Sequence, residues 1–323
     1  MLSSALLTTY STTRFLKYQH GNTASTTNPG TPIKALQKVK ENTPKHHSPL
    51  WLFLHLPRPV LLTLYRFGGS LLLGLLLHPN FQLIQRVRDT VAVIPDFALP
   101  AAFLFLANFT NSIALNRIGI SLTYTTKCAI PIFTVILTFF LDGASALPSI
   151  PTLLSLVPIA TGIAMASWDS PVFETKGFGF AMVSSSAQTA LNVCSKKAMA
   201  KTGLSGTDGQ RAMVAFGLVI AIATTLLLNN NSNGDDPETR RPPPGWLSLM
   251  ALSAYHVEYV LSFNFVKLVA PIAYGASDAV RRLAIIISGH YMFGHDSFTR
   301  INILGIATAL LGALCYAITS HAV

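Results

Sequence analysis

Three cations stand where an apolar chain tolerates them least. Lys127 lies within "SLTYTTKCAIPIFTVILTFFL", and the adjacent pair Arg281 and Arg282 lies within "APIAYGASDAVRRLAIIISGHYMFG". Apolar flanks reach from Ile118 to Leu141 around Lys127 and from Ala270 to Gly294 around the pair, each long enough to cross a bilayer as helix. At the centre of such a span a Lys or Arg costs about 2.5–3.5 kcal/mol on insertion scales. Snorkelling does not lift a side chain to water from that depth. Two readings follow. In the structural one, buried acids neutralise the cations: Asp278 precedes the arginines by three and four residues, and Glu258 lies within the preceding apolar segment. In the functional one, the cations line a cavity and hold an anion. Arg offers phosphate a planar fork, and Lys a compact point charge. Arg66, in "LYRFGGSLLLGLLL", is a fourth candidate that sits nearer its helix start. For it, an interfacial or packing role is equally open.

Other chemistries find no support. His256, His290 and His295 have no metal-ligand spacing, and "HVE" at 256–258 is too short to define a metal or catalytic pair. Cys128, Cys194 and Cys315 are far apart, each in or beside an apolar segment, which points to packing. No nucleophile–base constellation and no glycine-rich phosphate loop occur, so neither an enzyme, a cofactor nor a metal is expected. The net charge of +10 is no nucleic-acid signature, because no basic face alternates with aromatics. Seven of the 23 Lys and Arg lie in the first 58 residues, with Glu41 as the sole acid there.

These residues must be positioned by helices. Mean hydropathy is +0.47, half of the residues are apolar and 11% are charged, against about 25% charged in soluble domains. The chain reads as an all-α polytopic membrane protein with about nine transmembrane helices. They are placed over 50–78, 93–115, 119–141, 148–168, 177–198, 211–229, 245–266, 270–294 and 301–320. Residues 1–49 read as a polar Ser/Thr-rich tail, either a transit peptide or a cytosolic extension, and 50–323 as the transmembrane domain. "NNNSNGDDPETRRPPPG" (229–245) reads as a loop. An internal echo links 121–143 with 270–296. Each unit carries a mid-span cation and precedes a Gly/Ala-rich helix, "TGIAMAS" or "LGIATALLGA". The units lie five helices apart. An odd offset makes the halves, about 50–170 and 177–323, inverted repeats of the kind many transporters use.

"SLTYTTKCAIPIF", "SLVPIATGIAMASW", "GFGFAMVSSSAQTALNVCSKKAM" and "VAPIAYGASDAVRRLAIIISGHYMFG" resemble the triose-phosphate/phosphate translocator family of the drug/metabolite transporter superfamily. A Ser-x-Thr-x-Thr-x-Lys helix and a basic pair ten and eleven residues after an Ala-Pro carry the likeness, which runs from about 50 to 320. The resemblance implies ten helices in two inverted five-helix repeats and a central site built on Lys127, Arg281 and Arg282. It also implies strict exchange of inorganic phosphate for a phosphorylated sugar or three-carbon metabolite, across the inner plastid envelope or another organelle membrane. An apolar first helix is missing before "LPRPVLLTLYRFGG". Asn108 stands where plastid members have a His, Glu258 where they have a Tyr (Tyr259 being next to it), Asp278 for an Asn, Arg281 for a Lys and Leu191 for an Arg. Asn108, Asn111, Thr123, Glu258, Tyr259 and Asp278 are thus candidates for contact with the organic part of the substrate or for counter-charge. The alternatives are a nucleotide-sugar exchanger of the Golgi or ER and a nonfunctional truncated homologue.

Overall fold

A computed structural model describes residues 2–24, 59–76, 83–143, 147–168, 170, 173–231, 245–268, 271–293 and 299–319. Every regular element among them is helical. In chain order these are α1 (Leu2–Ala24), α2 (Pro59–Leu76), α3 (Leu83–Thr126), a 3-10 turn (Lys127–Ala129) and α4 (Ile130–Asp142). The short α5 (Ile150–Leu154) and α6 (Leu156–Trp168) follow, then α7 (Thr175–Thr202), α8 (Gly206–Asn231), α9 (Gly245–Leu268), α10 (Pro271–Phe293) and α11 (Arg300–Thr319). Helices are what an apolar chain forms in lipid, because they satisfy each backbone N–H and C=O internally. Three stretches of described helix, Ala92–Leu141, Ile150–Trp168 and Arg300–Thr319, are long and apolar enough to cross a membrane. Large apolar side chains also face outward, among them Phe140 at 77% and Ile150 at 74% exposure. A surface of that kind suits hydrocarbon rather than water.

The sequence boundary at residue 119 has a clear physical origin. Within α3, Gly119 adopts φ 73° and ψ −179°, a break in the helix that a residue with a Cβ disfavours. The chain thereby passes from one span to the next without a loop. The expected loop at 229–245 lies almost wholly outside the described residues, apart from its helical start.

Packing repeats with an offset of five spans. α7 lies along α3 and α4, and α1, five spans earlier, lies along α9 and α10. α8 packs on α2 and α3; its counterpart α2 packs on α8 and α9. α6 and α11 close the two halves against each other at a crossing of small residues. There Gly162 and Gly305 face each other's backbone, and Asn302 Nδ2 donates to the Ala166 carbonyl at 2.6 Å.

The structure adds an element that hydropathy reading does not supply. About nine apolar segments occur as expected, but Leu2–Ala24, read from sequence as part of a polar tail, is a helix packed into the bundle. Ser4, Thr8, Thr9, Ser11, Thr12 and Thr13 are all buried. Thr8, Thr9, Thr12 and Thr13 each donate to the carbonyl four residues earlier, and Ser11 to the one three residues earlier. A hydroxyl that returns its proton to its own helix no longer needs water, so a Ser/Thr-rich helix can be buried. Residues 25–49 lie outside the described ones.

Candidate functional site

The site lies where α4's start meets the middle of α10. Local sequence explains the first partner. Pro131 has no N–H to give the Lys127 carbonyl, so the α-helical bond is missing there. The chain tightens into the 3-10 turn, and the Lys127 carbonyl takes the Ile130 N–H instead. Its second lone pair accepts from Arg282 Nη1 at 2.5 Å. The two cation-bearing segments of the two halves therefore meet through the Arg282 guanidinium and the Lys127 backbone carbonyl.

On α10, Asp278, Arg281 and Arg282 follow an i, i+3, i+4 spacing that places them on one face. Asp278 Oδ1 accepts from Arg281 Nε at 3.1 Å and Nη2 at 2.6 Å, while Oδ2 accepts from Arg282 Nη2. Glu258 of α9 accepts from Arg281 Nη1 at 2.9 Å. Arg282 is buried, and the other members of the cluster are partly so. The Lys127 ammonium has no ion pair among the described residues; it stands 5.3 Å over the ring of Tyr124. Among the described residues, two carboxylates pair with the two arginines, and none pairs with Lys127.

A second polar chain extends from this cluster. Asn108 Nδ2 donates to the Tyr259 hydroxyl at 3.3 Å, tying α3 to α9. Tyr259 lies against Tyr255, ring centroids 4.3 Å apart. Arg66, left open between interface and packing by its sequence position, is 3% exposed. It donates from Nη2 to Thr12 Oγ1 of α1, with its guanidinium 5.4 Å over Tyr255. Asn111 is buried with Oδ1 unpartnered, and Thr123 turns its hydroxyl back to the Gly119 carbonyl at 2.6 Å. Leu191 packs in the apolar core with Phe105, Phe109 and Ala198. His256 meets Ser70 across Nδ1 and Oγ at 3.1 Å. Sequence reading missed Thr9 and Thr12, because α1 looked too polar to be placed at all, and with them Tyr124 of α3, whose hydroxyl partner is Thr9. The signal was present in the hydroxyls at helical spacing.

Comparison with known proteins places this arrangement. Residues 51–317 match the Triose-phosphate Transporter family. The chain belongs to that family. It is accordingly a transporter and not an enzyme, and a multi-pass membrane protein. Among relatives of the family, the phosphoenolpyruvate/phosphate translocator 2, chloroplastic, of Arabidopsis thaliana is 26% identical over 273 residues, which are 80% of this chain and 69% of that one. The triose phosphate/phosphate translocator, non-green plastid, chloroplastic, of Brassica oleracea var. botrytis is 25% identical, covering 81% of this chain and 65% of its own. The glucose-6-phosphate/phosphate translocator 2, chloroplastic, of Arabidopsis thaliana is 25% identical over 65% of this chain and 55% of its own. A solved structure aligns with 99% of the chain at 15% identity and a TM-score of 0.49. At that level it adds nothing to the family assignment.

Proposed function

We propose that the protein is an antiporter exchanging inorganic phosphate for a phosphorylated organic metabolite, with Lys127, Arg281 and Arg282 holding the phosphoryl group. The observation that carries this reading is the meeting of the Lys127 turn with the Arg281–Arg282 face from opposite halves of the bundle, where Arg282 donates to the Lys127 carbonyl. Among the described residues, two carboxylates pair with the arginines and none with Lys127. A buried cluster with excess positive charge is costly unless an anion completes it. Relatives are named as phosphoenolpyruvate/phosphate, triose phosphate/phosphate and glucose-6-phosphate/phosphate translocators. That supports the substrate class and leaves the individual compound to the residues around the cations. Asp278 and Glu258 act as counter-charges in the empty site and yield the arginines when phosphate arrives. Asn108 and Tyr259 face the organic portion. The compartment we infer is a plastid envelope, since those relatives are chloroplastic.

The test is counter-exchange of labelled phosphate by the purified protein in liposomes. Each charge-assisted bond to a desolvated anion contributes about 1.5–3 kcal/mol. Lys127→Ala, Arg281→Ala and Arg282→Ala should therefore each weaken phosphate exchange by about ten- to a hundredfold. Exchange unaltered in any of the three removes that residue from the site.

A further inference from the structure

Each cation of the site is held by a different device. Asp278 and Glu258 hold Arg281, while Asp278 and the Lys127 carbonyl hold Arg282. Lys127 carries its charge on a flexible stem, and no carboxylate among the described residues steadies it. The contact that does so is the ring of Tyr124, three residues earlier, with the ammonium 5.3 Å from its centre. That is within reach of a cation–π attraction, in which the negative face of the ring draws the charge.

The ring is itself held at both ends. Its root belongs to α3, and its body packs against two apolar clusters, one containing Cys128 and Ile286, the other Ile120 and Ile285. Its hydroxyl meets Thr9 Oγ1 of α1 at 3.0 Å, across 115 positions of chain. The direction of that bond follows from the proton count. Thr9 has one hydroxyl proton and gives it to the Ala5 carbonyl at 2.9 Å. Tyr124 is therefore the donor and Thr9 the acceptor. Donating polarises the phenol toward its oxygen and enriches the ring face, which favours the cation over it.

We propose that Tyr124 is the positioning residue of Lys127 and that Thr9 of α1 sets Tyr124. A chain from the Ala5 carbonyl through Thr9 and Tyr124 thus aims the ammonium at the phosphoryl group. The inference rests on the phosphate assignment to Lys127, Arg281 and Arg282. Asp278 takes up N–H donors that an anion must win back, whereas a ring face steadies the ammonium without neutralising it. Lys127 keeps its full charge for the substrate and a fixed place from which to present it. The Ser/Thr-rich α1 acts on the site without touching the substrate.

Kinetic coupling to Lys127 separates positioning from packing. Liposomes containing the full chain exchange labelled phosphate, and KM and kcat for phosphate are measured. Tyr124→Leu removes the ring and should raise KM about tenfold while moving kcat by less than about threefold. In the Lys127→Ala background the same change should shift KM by less than about twofold, because no ammonium is left to place. An equal rise in both backgrounds is the mark of general packing and overturns the proposal. So does an unaltered KM in Tyr124→Leu alone. Tyr124→Phe and Thr9→Val each delete the hydrogen bond and keep a ring beneath Lys127, so each should raise KM by about two- to fourfold. The double variant should be no worse than either single one, since both remove the same bond. Thr9→Ser keeps the acceptor and should return the wild-type KM. These variants decide the matter if Tyr124→Leu does not fold: effects that add, or no effect, overturn the proposal. Failure of the phosphate assignment reads out separately, as unaltered phosphate exchange in Lys127→Ala alone.

Discussion

At the scale of single residues, Asp278 does the most unusual work. One carboxylate accepts from both arginines, taking up the N–H donors that a phosphate would otherwise use. On the proposed function, it holds the empty site together and competes with the substrate for the same protons. Asp278→Asn leaves the arginines in place with a weaker competitor. Phosphate exchange should persist, with a KM for phosphate lowered by about three- to tenfold. Loss of exchange at normal protein level would instead assign Asp278 a direct part in transport. Arg282 shows why Lys and Arg differ here: two of its nitrogens serve the Lys127 carbonyl and Asp278 at once. Arg282→Lys keeps the charge and loses the fork, so phosphate exchange should fall by about tenfold. Glu258 accepts from Arg281 and not from Arg282. Glu258→Gln should alter the preference among organic substrates more than the affinity for phosphate, as competition assays would reveal.

At the scale of elements, small residues decide how closely the halves approach. A Cβ on Gly305 would stand 2.7 Å from the Gly162 carbonyl oxygen, a backbone atom that cannot swing aside. Gly305→Ala should force α6 and α11 apart and cost about 1–3 kcal/mol, seen as a lowered melting temperature in detergent. Gly179 on α7 is the matched control, since a Cβ there meets nothing within 4 Å. Gly179→Ala should leave stability unchanged or raise it by up to about 1 kcal/mol through helix propensity. Opposite behaviour at two helical glycines would isolate packing from backbone entropy. A similar fall at both would discount the crossing as the cause.

At the scale of the whole molecule, α1 makes the amino-terminal residues part of the bundle. It packs on α9 and α10 and bonds to Tyr124 and Arg66. The mature protein is therefore expected to retain Thr9 and Thr12, and mass spectrometry of its amino-terminal peptide would show them. A mature start beyond residue 24 would take α1 out of the transporter. Compartment is tested on the same protein. Asn230 begins an Asn-Asn-Ser sequon near the end of α8, and sugar is added there only in the secretory lumen. A plastid envelope protein should show no glycosidase-sensitive shift, and a full-chain fluorescent fusion should mark the plastid rim. A shift would move the protein to the ER or Golgi.

What the sequence by itself determined was the medium, the number of apolar segments and the three cations. Each is a local property: hydropathy over twenty residues, or a charge in the middle of such a run. The break at 119 was legible too, because glycine there separates two apolar runs. Whether the cations were paired was beyond sequence, since Asp278 and Glu258 could equally have faced elsewhere. Only tertiary structure brought Lys127 to Arg282 across 155 positions of chain. It also gave Leu2–Ala24 a place, because a hydroxyl-rich helix reads as solvated until its protons are seen to return to its own carbonyls. Arg66 followed from that placement: its one hydroxyl partner belongs to α1, and no property of "LYRFGG" announces a neighbour 54 residues away.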